Sequence, residues 1–179
     1  MSFNRTEKLL KTFVEPVLAA TILHTEAFPQ AGTAFADALD KKLHVDALIQ
    51  ESGGWKGIAC RNREIKAGCP APDITIRRGG GGSELAGLLA AGRDSELLKP
   101  AYLVYGFWAG EELVDAYIIS ASKLTFLLES VIIPGISASG SGADYGVKSG
   151  VGYSFLYISP AFLESRGAVV GRLAELARN

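Results

Sequence analysis

The sequence predicts a mixed α+β fold, one β-sheet of about four to six strands flanked by helices, with a helical N-terminal third and residues 1–179 forming a single domain. Three observations carry this. Apolar residues recur at helical spacing through the first fifty positions. Ala101–Trp108 and Leu113–Ser120 are apolar, aromatic and β-branched, and only Ala109–Glu112 separates them, the pattern of a hairpin. Strand-like runs then alternate with capped helical segments to the C-terminus.

The elements follow in order. Asn4 and Glu7 have capping-box spacing, and Leu9, Leu10, Phe13, Val14, Val17, Leu18 and Ile22 continue at helical period, with a kink or restart expected at Pro16. A second helix is expected from Thr33 to about Gln50, burying Phe35, Leu39, Leu43 and Leu48 and ending at Gly53-Gly54. Pro72–Arg77 alternates and is β-branched, so it reads as a strand. Ser83 caps a helix that ends before Pro100. After the hairpin, Ser120 or Ser122 caps a short helix. Pro134–Gly152, with six glycines and four serines, reads as a long loop able to close on a substrate. Tyr153–Ile158 is a strand, and Ser159-Pro160 opens the last helix.

Composition excludes several classes. The chain is 48% hydrophobic with 18 basic against 19 acidic side chains, too apolar and too neutral for disorder. Ser130–Ala143, an uncharged stretch of 14 residues, is half Gly and Ser, and the longest such stretch, Ser149–Leu163, has 15, both short of the ~20 apolar residues of a membrane span, so no membrane partner is expected. Glu7 and Glu15 interrupt the only apolar run near the N-terminus, which excludes a signal peptide there and points to the cytoplasm. Cys60, Cys69, His24 and His44 include no zinc-ligand spacing, and reduced thiols are expected. Any metal would be a hard ion such as Mg²⁺ on carboxylates.

The charge is unevenly placed. Residues 56–78 hold Lys56, Arg61, Arg63, Lys66, Arg77 and Arg78 against Glu64 and Asp73, a net +4, while the other 156 residues carry −5. Gly79–Gly82 follow directly. Arginine and lysine neutralise phosphates, and glycines such as Gly80 and Gly81 let backbone N–H groups approach them. A solvated basic loop balanced by acidic helices is the plainer account. Trp55, between Gly53-Gly54 and Lys56-Gly57, reads as a ring that stacks on or wedges into nucleic acid, and Lys148 adds a cation from the 134–152 loop. Tyr102, Tyr105, Phe107, Trp108, Tyr117, Tyr153, Phe155 and Tyr157 fall on expected strands, where rings can stack on exposed bases and where sheet aromatics facing helices are the default.

Glu64 and Lys66 are two apart, so on a strand they share a face. A carboxylate there suits Mg²⁺, and the lysine suits activation of water or stabilisation of phosphorane charge; a surface ion pair is the simpler account. A second carboxylate is needed. The candidates are Asp46, 18 residues upstream, with Glu51 as another possible partner, and Asp73, which opens the Pro72–Arg77 strand; Asp73 read plainly is a strand-start aspartate holding local N–H groups.

With the Glu64-x-Lys66 triplet, an approximate αβββαβ order over residues 5–108 and acidic residues in a preceding helix, the chain resembles the PD-(D/E)xK nuclease superfamily. The literal Pro72-Asp73 follows the triplet instead of preceding it, which departs from the family pattern. The resemblance implies Mg²⁺-dependent hydrolysis of DNA phosphodiesters by a homodimer on duplex DNA, with Glu64 as motif carboxylate, Lys66 as motif lysine and Asp46 as motif aspartate. The expectation is thus a restriction-type endonuclease with Glu64, Lys66 and Asp46 or Asp73 catalytic. Asp46, Glu64 and Asp73 are the metal-ligand candidates, while Trp55, Lys56, Arg61, Arg63, Arg77, Arg78, Gly80, Gly81 and Lys148 would hold DNA. The alternatives are a non-catalytic nucleic-acid-binding module on the same residues, or a small-molecule or protein-interaction domain.

Overall fold

The first helix, α1, runs over Ser2–Leu9, widens into a π-helical turn at Leu10–Val14 and resumes at Glu15–Leu18. Pro16 has no N–H for the ladder, and the widened turn, in which Glu15 N–H bonds the Leu10 carbonyl, lies just before it. The computed structural model describes residues 2–19, 22–24, 45–51, 54–65, 73–78, 88–89, 100–150 and 152–176.

Among the described residues nine strands follow the expected mixed α+β class. β1 (Ile22–His24), β2 (Ala47–Glu51), β3 (Gly54–Glu64), β5 (Pro100–Ala109), β6 (Glu112–Ser120) and β9 (Val169–Arg172) form a six-stranded sheet in that spatial order. All neighbours are antiparallel except β3 and β5, which are parallel and so need a long crossover between them. β4 (Ile74–Arg77), inside that crossover, leaves the large sheet. It joins β8 (Tyr153–Ile158) and β7 (Tyr145–Gly150) in a second, antiparallel sheet ordered β4-β8-β7. The helix α2 follows β6 through Ala121–Leu127, a π-helical turn Leu128–Ile132 and Ile133–Ser139. α3 (Pro160–Ser165) and α4 (Leu173–Leu176) bracket β9.

The large sheet is covered on both faces. Leu9, Leu10, Phe13 and Val14 of α1 pack on Ile49, Ile58, Val104, Trp108 and Ile118. On the other face Tyr105, Phe107, Tyr117 and Ile119 meet Ile74, Ile76, Leu156 and Ile158 of the second sheet, with Leu124, Leu128 and Ile132 of α2 and Phe162 and Leu163 of α3. Burying each such side chain contributes roughly 1.5–3 kcal/mol. α2 spans 19 residues, long and apolar enough to cross a membrane by length and composition alone. It carries Lys123 and Glu129, and Ala121, Leu124, Leu127, Leu128 and Ile132 are buried in the core.

The hairpin is as expected, with Gly110 at φ 61° in its turn, where a left-handed backbone favours glycine. Ser120 caps α2 by accepting the Lys123 N–H, and Ser159 caps α3 by accepting the Phe162 N–H. Four expectations are corrected. The first helix begins at Ser2, so Asn4 lies inside it, and it stops at Leu18, with Ile22 in a strand. The helix expected over 33–50 is a strand at Ala47–Glu51, because pairing to β1 and β3 overrides an ambiguous apolar run; residues 25–44 lie outside the described ones. The 134–152 loop is instead the last turns of α2, a short link and β7. The last helix is short and yields to β9. Of the helix expected before Pro100, Leu88 and Leu89 are described and helical.

Trp108 ties the layers together. Its Nε1 donates to Asn62 Oδ1 at 2.8 Å, and Asn62 Nδ2 donates to Thr6 Oγ1 at 2.9 Å, joining β5, β3 and α1. Asn62→Leu should lower the urea midpoint by the equivalent of about 1–3 kcal/mol with an unchanged slope, since the buried indole N–H loses its acceptor. An unchanged midpoint would contradict the role given to Asn62.

Candidate nucleic-acid interface

β3 presents alternate residues to opposite sides, and several of its polar side chains pair with neighbouring elements. Asp46, just before β2, donates its N–H to the Ile58 carbonyl at 2.8 Å, while its Oδ2 accepts the Cys60 N–H at 2.6 Å and lies 3.7 Å from Arg61 Nη1. The Arg61 guanidinium also donates to the Cys60 carbonyl. Cys60 is a free, buried thiol whose pKa burial pushes well up, which leaves it unreactive.

Glu64 closes the far end of the strand. Its Oε2 accepts Arg5 Nη1 at 2.7 Å and its Oε1 accepts the Gly110 N–H at 3.0 Å. The Gly110 amide and then the Arg5 guanidinium hold its carboxyl below the usual range. Lys8 donates to the Glu111 carbonyl, so α1 and Glu64 together latch the hairpin turn. From Cys60 to Glu64 the strand advances about 13 Å, and the structure does not bring Asp46 and Glu64 together. Asp73, at the mouth of β4, pairs with Lys148 Nζ at 3.0 Å in the second sheet. Asp46, Glu64 and Asp73 thus occupy three separate places. Among the described residues no group of three or more His, Cys, Asp or Glu is placed to hold a metal ion. Lys66, Gly80 and Gly81 lie outside the described residues, as does Cys69.

The basic segment divides. Lys56 Nζ binds Glu51 Oε2 at 2.6 Å, and Glu51 Oε1 accepts the Tyr102 hydroxyl at 2.6 Å. Lys56 and then Tyr102 lower the Glu51 pKa, while burial and then Glu51 push Tyr102 up to about 12. Trp55, 39% exposed, sits beside this cluster opposite Gln50. Arg63 is half-buried, its Nε without a hydrogen-bond partner. Acids from outside the segment, Asp46 and Glu51, therefore offset part of its positive charge.

Arg77 and Lys148 are placed differently. In the second sheet Ile74, Ile76, Leu156, Ile158 and Val147 face the core, so Arg77, Lys148, Tyr153, Phe155 and Tyr157 take the outward face. Arg77, Phe155 and Lys148 stand in one cross-strand row. Arg78 is exposed just past β4 and donates its N–H to the Ser154 carbonyl at 2.8 Å. The Tyr153 and Phe155 ring centroids are 5.1 Å apart, and Lys148 Nζ lies 4.6 Å from the Tyr157 centroid. β7 is shaped for these rings: a Cβ at Gly150 would stand 2.5 Å from the Tyr153 ring, and one at Gly146 2.5 Å from the Tyr157 hydroxyl.

The aromatic default is therefore correct for Tyr105, Phe107, Trp108 and Tyr117, which are core. It fails for Tyr153, Phe155 and Tyr157. Their period-two spacing against Leu156 and Ile158 was the available signal, since one alternation cannot send both sets inward. Comparison with protein-family models, with curated proteins and with solved structures finds no match for this chain.

The Glu64 latch has a pH signature. A carboxyl whose folded pKa is depressed contributes stability above its unfolded value, here near 4.5, and loses it as pH falls through the folded value. Glu64→Gln should therefore lose stability at neutral pH and flatten the acid limb of a melting-temperature profile. An acid limb identical to that of the unsubstituted protein would contradict the latch.

Proposed function

We propose that this chain is a nucleic-acid-binding module that holds the phosphate backbone on the outward face of β4-β8-β7. The observation that carries the reading is the row Arg77–Phe155–Lys148, two cations flanking an aromatic ring across three strands. Neighbouring strands are about 4.8 Å apart, so the two cations stand roughly 10 Å apart at their backbones. Such a pair can contact two phosphates of one strand with a ring between them. Arg78 extends the basic edge. Asp73 is the acidic group bound to Lys148, and it competes with phosphate for that cation.

Affinity should fall steeply with salt, and Arg77→Gln with Lys148→Gln should lower the slope of log K against log salt by about 1 per cation removed. Asp73→Asn should tighten binding severalfold by releasing Lys148. Fluorescence anisotropy with a labelled oligonucleotide at several salt concentrations checks both. Unchanged slopes in the double variant, or weaker binding in Asp73→Asn, would contradict the reading.

A second reading, Mg²⁺-dependent cleavage of duplex DNA, draws support from the element order. α1 precedes the antiparallel β1, β2 and β3, and β5 returns parallel to β3, the order that the PD-(D/E)xK resemblance implies. Under this reading plasmid DNA is nicked with Mg²⁺ and spared by Asp46→Ala, Glu64→Ala or Lys66→Ala. Binding without nicking in Mg²⁺ or Mn²⁺ favours the first reading alone.

A further inference from the structure

We infer that the outward face of the second sheet takes single-stranded nucleic acid and stacks unpaired bases on Tyr153 and Phe155; this rests on the phosphate-binding reading above and names its substrate class. Three aromatic residues on one face of a strand, at positions i, i+2 and i+4, form a continuous apolar strip on a sheet whose other face is already committed to the core. Two of them differ from the third. Lys148 lies over the Tyr157 ring, and the Tyr157 hydroxyl donates to the Gly142 carbonyl at 2.6 Å, so Tyr157 is anchored and positions the cation. Tyr153 is 50% exposed and Phe155 adjoins it, so these two rings are the ones a base can reach.

The glycines of β7 make the rings accessible. Gly146 and Gly150 flank Lys148 on the same face, and each leaves the space into which a tyrosine of β8 lies. The Tyr153 ring lies against Gly150, and the Tyr153 and Phe155 rings are inclined by 60° to each other, so a base stacked on the face of one meets the edge of the other. Among the described residues, the charged groups around the strip include Arg77 on β4, Arg78 just past it, Lys148 on β7 and Asp73, bound to Lys148. Cations at both sides of an aromatic strip suit a ligand with anionic groups along a backbone and flat apolar groups beside it. Paired bases in a duplex keep their faces stacked within the helix, whereas a single strand offers them.

The test compares three probes with the full chain at low salt by fluorescence anisotropy: a twelve-nucleotide oligothymidine, the same backbone with abasic sites, and a twelve-base-pair duplex. The oligothymidine should bind at least about fivefold more tightly than the abasic strand, the smallest effect expected for one stacked base, and more tightly than the duplex. Tyr153→Leu and Phe155→Leu should each shrink the ratio of natural to abasic affinity while the abasic strand binds as before; Tyr153→Leu, at a half-exposed position, serves if Phe155→Leu fails to fold. Equal binding of natural and abasic strands, or duplex bound as tightly as oligothymidine, would overturn base stacking and leave phosphate binding standing. Absence of binding to all three probes would overturn both.

Discussion

β3 pairs with β2 over Gly54–Ile58 and with β5 over Gly57–Glu64, and both of its faces are covered around Ile58–Cys60. Where the strand is buried its polar groups are cut off from water, and toward its exposed end polar side chains tie it to neighbouring elements. Asp46 supplies an acceptor to the Cys60 amide, Asn62 bridges Thr6 and Trp108, and Glu64 ties Arg5 to the hairpin turn. These contacts join α1, β2, β3 and the β5–β6 hairpin into one unit. Glu64 holds a guanidinium and a backbone amide, and Asp46 accepts a backbone amide beside Arg61.

The second sheet faces no such demand. Its inner residues complete a core, and its outer row carries Arg77, Lys148 and the rings of β8. There Arg77 and Lys148 stand beside aromatic rings, and β7 supplies glycines where side chains would block them. The basic character concentrated in residues 56–78 is thus separated by the fold. The part on β3 is largely internal in its consequences, and the part on β4 faces outward.

Much of the fold was legible where local chemistry and tertiary context agree. The β5–β6 hairpin combines branched and aromatic residues with a turn that favours Gly110, and Ser120 and Ser159 are caps whose reach is local. Reading failed where pairing partners decide. Ala47–Glu51 carries apolar residues that suit a helix or a strand, and pairing with β1 and β3 makes it a strand. The glycines and serines of Tyr145–Gly150 suggest a loop, yet Gly146 and Gly150 are needed in a strand because rings from β8 lie against them. That constraint is between strands and leaves no trace in β7 alone. Of the candidate site the cations Arg77 and Lys148 were legible, whereas Tyr153, Phe155 and Tyr157 were read as core, and the surface itself was not legible. Their common row depends on β4 leaving the large sheet to join β8, which no local pattern announces.

The claim that this outer row is the ligand surface is tested most directly by hydrogen–deuterium exchange of the full chain with and without excess oligothymidine at low salt. The account predicts slowed exchange over Ile74–Arg78 and Tyr145–Ile158, with α1 and the β5–β6 turn unaffected. Protection centred instead on α1, β2 and β3, with the second sheet unchanged, would contradict it.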